Sequence, residues 1–165
     1  IHSNNKPELF FPSDKSKIMC IREIQSLDYD WNPASVLDGT KKFRIQIKYE
    51  INERIVNGTI LAMFTRADAQ VRIWDTRHDL VVDAKSIDKG SQSYVSTVEF
   101  PGGIIKSGNY RAGISLQIGN SGSIDSQEIF FQIVNHESLL SHELKVPQHK
   151  RGLLAVPVKW TRKSL

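Results

Sequence analysis

The sequence predicts an all-β protein, an immunoglobulin-like antiparallel β-sandwich. Two observations lead to this prediction. Apolar and polar residues alternate along several segments, most clearly over residues 43–51 and 110–118, which is the pattern of strands with one buried and one solvated face. Gly, Asn and Pro separate these segments at regular spacing, and no stretch before residue 135 has helical periodicity.

Seven strands are predicted in the main part of the chain. Their approximate bounds are residues 17–27, 43–51, 58–66, 71–76, 94–100, 110–118 and 127–134. The segment 58–66 begins after the turn signal Asn57-Gly58 and is largely apolar, so we expect a central strand that is covered on both faces. Residues 28–39 are rich in turn-forming residues, and we expect them to connect two strands.

The two ends of the chain differ from this middle part. Residues 1–16 are interpreted as a linker or leading arm, and residues 17–165 have a length that suits one domain. Residues 135–152 form a polar connection to residues 153–160, which return to strand character. A terminal strand on such a long connection can pair within its own chain or be exchanged between two protomers. The spacing leaves both arrangements open.

The net charge of the chain is modest, +4 at pH 7. Basic residues near the C-terminus supply much of the excess. No recognition helix or aromatic RNA-binding motif accompanies them, so we expect a solvated tail and no nucleic-acid partner. No apolar run reaches the length of a membrane span. Cys20 is the single cysteine, which excludes an intrachain disulfide and favours a reducing compartment.

The residue types of common catalytic and metal sites do not occur at the required spacing. His136 and His142 lie six positions apart, whereas a zinc-protease helix needs histidines four apart so that both face one metal. The sequence contains neither a phosphate-binding Gly-x-x-x-x-Gly-Lys-Ser/Thr loop nor a nucleophile elbow. We therefore expect no catalytic residue, no metal and no cofactor, and a protein that binds a ligand without being an enzyme.

The alternation in residues 110–134 points to a binding surface. If Tyr110 and Ile114 face the core, the small or polar residues between them face outward, as do the residues of opposite phase on the next strand. Guanidinium, amide and hydroxyl groups bind sugar hydroxyls, while an aromatic ring packs on the C–H face of a sugar. The carbohydrate-binding candidates on this face are Arg111, Ser115, Gln117, Phe130 and Gln132. Gly113 and Ser115 are expected to leave a shallow depression. The alternative is an ordinary solvated sheet face.

Trp74 is a further candidate for ligand binding. Arg66 lies nearby in sequence and could pair with an acidic substituent or a phosphate. The alternative is that Trp74 is a core residue packed between the two sheets.

Several segments, in their order and spacing, resemble a known family. They are the opening strand at residues 18–27, the alternating strand 43–51, Val71-Arg-Ile-Trp-Asp-Thr76, the strand opened by Gly108-Asn-Tyr110, and the closing residues 152–160. Together they cover residues 17–162 approximately. They are similar to the C-terminal carbohydrate-binding domain of the ATP-binding subunit of bacterial O-antigen polysaccharide ABC transporters, the Wzt type.

The resemblance implies a cytoplasmic domain, peripheral to the inner membrane through its transporter, that binds the terminal end of a completed O-antigen polysaccharide. Binding would couple chain completion to export. The resemblance also implies a homodimer that exchanges its last strand, a nucleotide-binding domain upstream of Ile1, and a transmembrane transporter subunit as partner. None of the family's sugar-contacting residues is carried over to this sequence, so the candidate site depends on the sheet-face argument alone.

Two other functions remain open from the sequence. One is an extracytoplasmic adhesion or fibre module of the same fold, acting by strand addition. The other is an accessory domain of an enzyme. A signal peptide before Ile1 would favour the first, and an ATPase domain in that place would favour polysaccharide export.

Overall fold

The computed structural model describes residues 5–67, 70–80, 91–119, 122–134 and 159–164. These ranges contain ten strands and no helix. The strands are β1 (Glu8–Phe10), β2 (Met19–Leu27), β3 (Val36–Asp38), β4 (Phe43–Ile51), β5 (Gly58–Arg66), β6 (Val71–Leu80), β7 (Gln92–Phe100), β8 (Gly108–Ile118), β9 (Ser123–Val134) and β10 (Lys159–Ser164).

The described strands form two five-stranded sheets that pack face to face. The first sheet has the order β1-β2-β4-β7-β10, and the second has the order β3-β9-β8-β5-β6. Neighbouring strands are antiparallel except β3 and β9, which run parallel. The predicted antiparallel β-sandwich is therefore confirmed.

Four phenylalanine rings from both sheets meet in the core. Phe43 and Phe100 of the first sheet stack with their ring centroids 4.6 Å apart. Phe64 of the second sheet lies 4.3 Å from Phe100, and Phe131 lies 6.0 Å from Phe43. All four side chains are at most 1% exposed. Because successive residues of a strand point to opposite faces, this contact determines which residues of β4, β5, β7 and β9 face outward.

Tyr110 fixes the beginning of β8. Its ring stacks on Phe131 at 6.1 Å, and its hydroxyl donates a 2.6 Å hydrogen bond to the backbone carbonyl of Lys106. A buried tyrosine that bonds to the backbone a few residues upstream is the tyrosine corner of immunoglobulin-like sandwiches. The contact holds the preceding loop against the start of the strand.

Asp125 links the second sheet to the first at another position. Its Oδ2 accepts a 2.8 Å hydrogen bond from the backbone N–H of Ile21, beside a β-bulge in β2. Its Oδ1 accepts a 2.9 Å bond from Nζ of Lys17, and this bond raises the pKa of Lys17. The Asp125 side chain is only 7% exposed. A carboxylate at such a depth needs these partners to offset the loss of solvent.

The structure adds two short strands that the pattern did not predict. β1 lies within the expected leading arm, residues 1–16, and pairs with β2, so this part of the arm belongs to the first sheet. β3 lies within the segment that we expected to be a connection. Both have three residues, too few to show an alternation. The boundary between residues 16 and 17 stays a prediction.

The terminal strand pairs with β7 of the same chain in this structure, with Lys159 opposite Glu99 and Ser164 opposite Tyr94. The predicted strand at residues 153–160 overlaps β10 only at its end. Residues 135–158, which include the predicted connection, lie outside the described residues. Strand exchange between protomers stays a prediction.

We expect Asp125→Ala to lower the free energy of unfolding by about 1–3 kcal/mol, because it leaves the buried N–H of Ile21 without an acceptor. Urea unfolding followed by circular dichroism measures this change. Ser126→Ala is the control, since Ser126 is the exposed neighbour and its substitution should change stability by less than about 0.5 kcal/mol. Equal unfolding midpoints for the two variants would contradict the proposed link between the sheets.

Candidate functional site

The outer face of the second sheet has the phase that the sequence predicts. Tyr110 and Ile114 are 2% and 1% exposed and belong to the core. Arg111 and Gln117, which alternate with the core residues of β8, are partly exposed. On β9 the core residue Phe131 is fully buried, while its neighbour Phe130 is 39% exposed.

Three predicted residues come together at one end of this face. Arg111 pairs in register with Phe130, and its Nη1 lies 3.2 Å from Oε1 of Glu128. Gln132 is exposed two residues further along β9, where it pairs with Val36 of β3. Val36 is 56% exposed. We call the group of Val36, Arg111, Phe130 and Gln132 the Phe130 patch. It combines an accessible ring with a guanidinium and an amide.

Ser115 is not accessible, and the expected depression beside it is filled. Its side chain donates a 2.9 Å hydrogen bond to Oγ of Ser123, and Ser115 is only 3% exposed. Leu61 lies opposite it on β5 and is 8% exposed. The methyl carbon of Met63 lies 3.6 Å from the position that a Cβ at Gly113 would occupy. The expectation of an open depression is therefore wrong, because apolar side chains of β5 occupy the space.

Gln117 is separated from the Phe130 patch. Its Nε2 lies 3.4 Å from Oγ of Ser115 at the far end of β8. Six residues separate Gln117 from Arg111, which corresponds to about 20 Å along a strand. A single sugar ring cannot contact both side chains, so Gln117 would contact another unit of a longer glycan.

Arg66 and Trp74 are not part of this patch. Arg66 pairs in register with the core residue Tyr110, and its guanidinium lies 3.3–3.4 Å from the Cβ position of Gly108. It therefore lies on the core-facing side at the end of β5, and not on the outer face. Trp74 pairs through its backbone with Phe64. Its side chain lies outside the described residues, so its role stays a prediction.

The loop between β2 and β3 carries two exposed aromatic residues that the sequence analysis did not single out. Tyr29 is 52% and Trp31 is 53% exposed. Arg44 holds the loop: its Nη1 donates to the carbonyls of Asp28 and Tyr29 at 3.2 and 3.0 Å, and its guanidinium lies 4.1 Å from the centroid of the Trp31 ring. Trp31 has a φ of +68°, a strained conformation for a bulky residue that costs about 1–3 kcal/mol.

A cavity of about 150 Å³ lies next to this loop. We call it the Tyr29 cleft. Its lining includes Asp28, Tyr29, Asp30, Val36, Lys41 and Lys42. The sequence does contain a signal that could have indicated exposed aromatic residues here. It is the run Tyr29-Asp30-Trp31, which lies in a turn-rich segment and outside any predicted strand.

The outer face of the first sheet is occupied by ion pairs among its own residues. Glu50 accepts hydrogen bonds from Ser13 and Lys15 and forms an ion pair with Arg22. Other pairs on this face are Lys48 with Glu23 at 2.7 Å, and Arg44 and Lys42 with Glu99 at 2.8 and 3.2 Å. Because these charged side chains are paired with one another, they are less available to bind a ligand.

The ion pairs lower the pKa of two carboxyl groups. Burial by itself raises the pKa of Glu50, but the hydrogen bonds from Ser13 and Lys15 and the charge of Arg22 outweigh it. Burial likewise raises the pKa of Glu99, and the hydrogen bonds from Lys42 and Arg44 outweigh it. Both groups therefore have a net pKa below the ordinary value of 4.5.

Within the described ranges, no group of three or more His, Cys, Asp or Glu side chains could hold a metal ion. None of the elements in those ranges is a helix long and apolar enough to cross a membrane.

Comparisons with known proteins give the fold. No protein-family model matches the sequence, and no curated protein matches it. Among solved structures, the C-terminal domain of Wzt is similar to this chain, with a TM-score of 0.54, 11% sequence identity and 80% of each chain covered. At this identity the likeness supports the β-sandwich fold and does not by itself show a shared function.

Partial similarity extends to two larger proteins. A glycosyl hydrolase family 2 member from Bacteroides cellulosilyticus has a TM-score of 0.41 and 10% identity over 58% of this chain. A β-glucuronidase from glycoside hydrolase family 2 has a TM-score of 0.38 and 14% identity over 58% of this chain. The chain spans only 12% and 10% of the lengths of these proteins, and the TM-scores are too low to carry an argument.

We expect the protein to lose stability as the pH falls through the lowered pKa values of Glu50 and Glu99. The unfolded chain binds protons to these groups at a higher pH than the folded chain does. The stabilisation that the two carboxylates provide is therefore complete above about pH 4.5 and is lost as the pH falls from there through their lowered pKa values. Urea unfolding midpoints at neutral and acid pH measure the effect. The double variant Glu50→Gln/Glu99→Gln should show a smaller pH dependence than the wild type, whereas Glu53→Gln, at an exposed carboxylate, should not. An unchanged pH dependence in the double variant would contradict this assignment.

Proposed function

We propose that this chain is a non-catalytic carbohydrate-binding module that binds the terminal end of an O-antigen polysaccharide and thereby couples chain completion to ABC-transporter export. The observation that carries the proposal is the Phe130 patch, in which an exposed ring has Arg111 opposite it on β8 and Gln132 two residues along β9. The fold similarity to the C-terminal domain of Wzt and the order of the sequence segments support it.

The three polar and aromatic side chains of the patch would have different roles in binding. The exposed part of Phe130 would pack on the C–H face of a sugar ring. Arg111 has several N–H donors in a fixed plane, and its contact with Glu128 holds it beside Phe130. Gln132 can both donate to and accept from hydroxyl groups.

The choice between the two sheet faces follows from their charges. On the first sheet, the outward ion pairs involve the largely buried side chains of Glu50, Arg44 and Glu23, which a ligand could not easily displace. Arg111 on the second sheet is also paired, but its partner Glu128 is 48% exposed. On the second sheet, Phe130 and Val36 present apolar surface beside exposed polar groups. Single-site affinity should lie between micromolar and millimolar, because a shallow polar site retains little net free energy after desolvation.

The assembly is part of the same proposal. A homodimer that exchanges its last strand could keep the register of β10 on β7, with a partner's β10 in place of the chain's own. A nucleotide-binding domain upstream and a transmembrane subunit would place this module in the cytoplasm, at the inner membrane. In this role the module positions a polysaccharide and has no catalytic residue of its own.

The test is binding to an array of purified O-polysaccharides, including forms with modified ends, followed by calorimetry on those that bind. We expect Phe130→Ala to weaken binding about tenfold, because the stacking contact and the buried apolar area are both lost. Arg111→Ala should weaken it similarly, through the loss of hydrogen bonds.

Two matched controls lie away from the patch. Phe10→Ala removes a ring that is 69% exposed on the edge of the first sheet, and Arg72→Ala removes a guanidinium that is 60% exposed on β6. Both controls should bind like the wild type. The absence of binding to every O-polysaccharide, or equal losses in Phe130→Ala and Phe10→Ala, would overturn the proposal.

A further inference from the structure

We infer that the Tyr29 cleft is a second glycan subsite, which holds one uncharged sugar ring of the same polysaccharide. The inference rests on the proposed function and extends it to a part of the surface that no comparison assigns. The cleft is open on one side and is lined by an exposed aromatic ring, that of Tyr29, which is not part of the hydrophobic core.

The size of the cleft restricts its occupant. Pockets for drug-sized ligands have volumes of about 300–1,000 Å³. The cleft, at about 150 Å³, is smaller than these and suits one sugar ring better than a peptide segment. Tyr29 lines the cleft and is 52% exposed, so its ring is available to the C–H face of a sugar.

The charges of the lining favour an uncharged ring. Asp28 and Asp38 accept hydrogen bonds from backbone N–H groups of their own loops, at 2.9 Å in both cases. Asp30 is exposed, and no hydrogen bond or ion pair of its carboxylate occurs among the described residues. Lys41 is 59% exposed and lies 4.0 Å from Asp38. Three carboxylates against two ammonium groups give no net attraction for an acidic sugar, whereas Asp30 and Lys41 can bind hydroxyl groups.

Both walls of the cleft are held in place before any ligand binds. Arg44, only 7% exposed, bonds to the carbonyls of Asp28 and Tyr29 on one side. On the other side, Gly103 donates a 2.7 Å backbone hydrogen bond to Gly39, and a side chain at Gly102 would collide with the carbonyl of Thr40. Binding to a preformed site avoids much of the entropy cost of ordering loops.

The cleft is continuous with the Phe130 patch. Val36 of β3 lines the cleft and also pairs in register with Gln132 of the patch. A glycan that packs on Phe130 can therefore pass over β3 and place its next ring or its terminal ring in the cleft.

The test uses single sugars, which are too short to span both subsites. The probes are the methyl glycosides of mannose, galactose, glucose and N-acetylglucosamine, with methyl glucuronide as the acidic comparison. Saturation-transfer NMR on the intact chain measures their binding. We expect at least one uncharged glycoside to bind and to bind more tightly than the glucuronide. Tyr29→Ala should weaken it about threefold to tenfold through the lost ring contact.

Matched variants separate the role of the ring from other effects. Tyr29→Phe keeps the ring and should retain binding, while Asp30→Asn should weaken it. Phe10→Ala removes another exposed ring and should have no effect, and circular dichroism checks that each variant is folded. The inference would be overturned if Tyr29→Ala bound the glycoside with wild-type affinity. It would also be overturned if Phe130→Ala lost glycoside binding while Tyr29→Ala kept it.

Titration with the polysaccharide separates this inference from the proposed function. If both Phe130→Ala and Tyr29→Ala weaken polysaccharide binding, the two-subsite arrangement is supported. If Phe130→Ala weakens it and Tyr29→Ala does not, the cleft is not a subsite although the proposed function stands. If the wild type binds neither polysaccharide nor glycoside, the proposed function fails and this inference fails with it.

Discussion

The four phenylalanine rings between the sheets decide which side chains are available on the surface. Phe131 lies in the core between Phe43 and Phe64, and so its neighbour Phe130 must face outward. Tyr110 stacks on Phe131 and in the same way directs Arg111 outward. A slip of one residue in β8 would bury the guanidinium of Arg111 and expose Tyr110, and a slip in β9 would bury the polar side chain of Gln132 and expose Phe131. The core therefore holds the Phe130 patch in one arrangement.

The sequence predicted those parts of the fold in which the alternation is long. Strand β4 was predicted with its observed bounds, and the phase of β8 and β9 was correct, because core and outward residues alternate there over nine or more positions. β1 and β3 have three residues each and give no such signal. They are strands because β1 pairs with β2 and β3 pairs with β9. Neither pairing can be predicted from the three residues themselves.

The candidate site was predicted less completely, since accessibility depends on the neighbouring strand. Ser115 is a small polar residue on the outward face of β8, but Leu61 and Met63 of β5 cover that region. The largely apolar composition of β5 had indicated a strand covered on both faces, and the consequence for Ser115 appears only with the register. The position of Arg66 also appears only with the register: it pairs with the core residue Tyr110 and therefore lies on the core-facing side. Tyr29 and Trp31 lie in a loop, where no periodicity indicates exposure.

The Phe130 patch and the Tyr29 cleft would complement each other in binding a polymer. Each offers only a few contacts, and each should therefore bind weakly when it acts alone. Because they share Val36, one glycan could occupy both, and the second contact would then be intramolecular. A strand-exchanged dimer would present two copies of this surface.

Mapping of backbone amide shifts by NMR, during titration with the O-polysaccharide that binds most tightly, tests the central claim most directly. We expect the perturbed amides to cluster at residues 36, 109–111 and 130–132 on the second sheet, and to include residues 28–30 where the glycan also fills the Tyr29 cleft. Perturbations confined to the outer face of the first sheet, around Gln46 and Lys48, would contradict it.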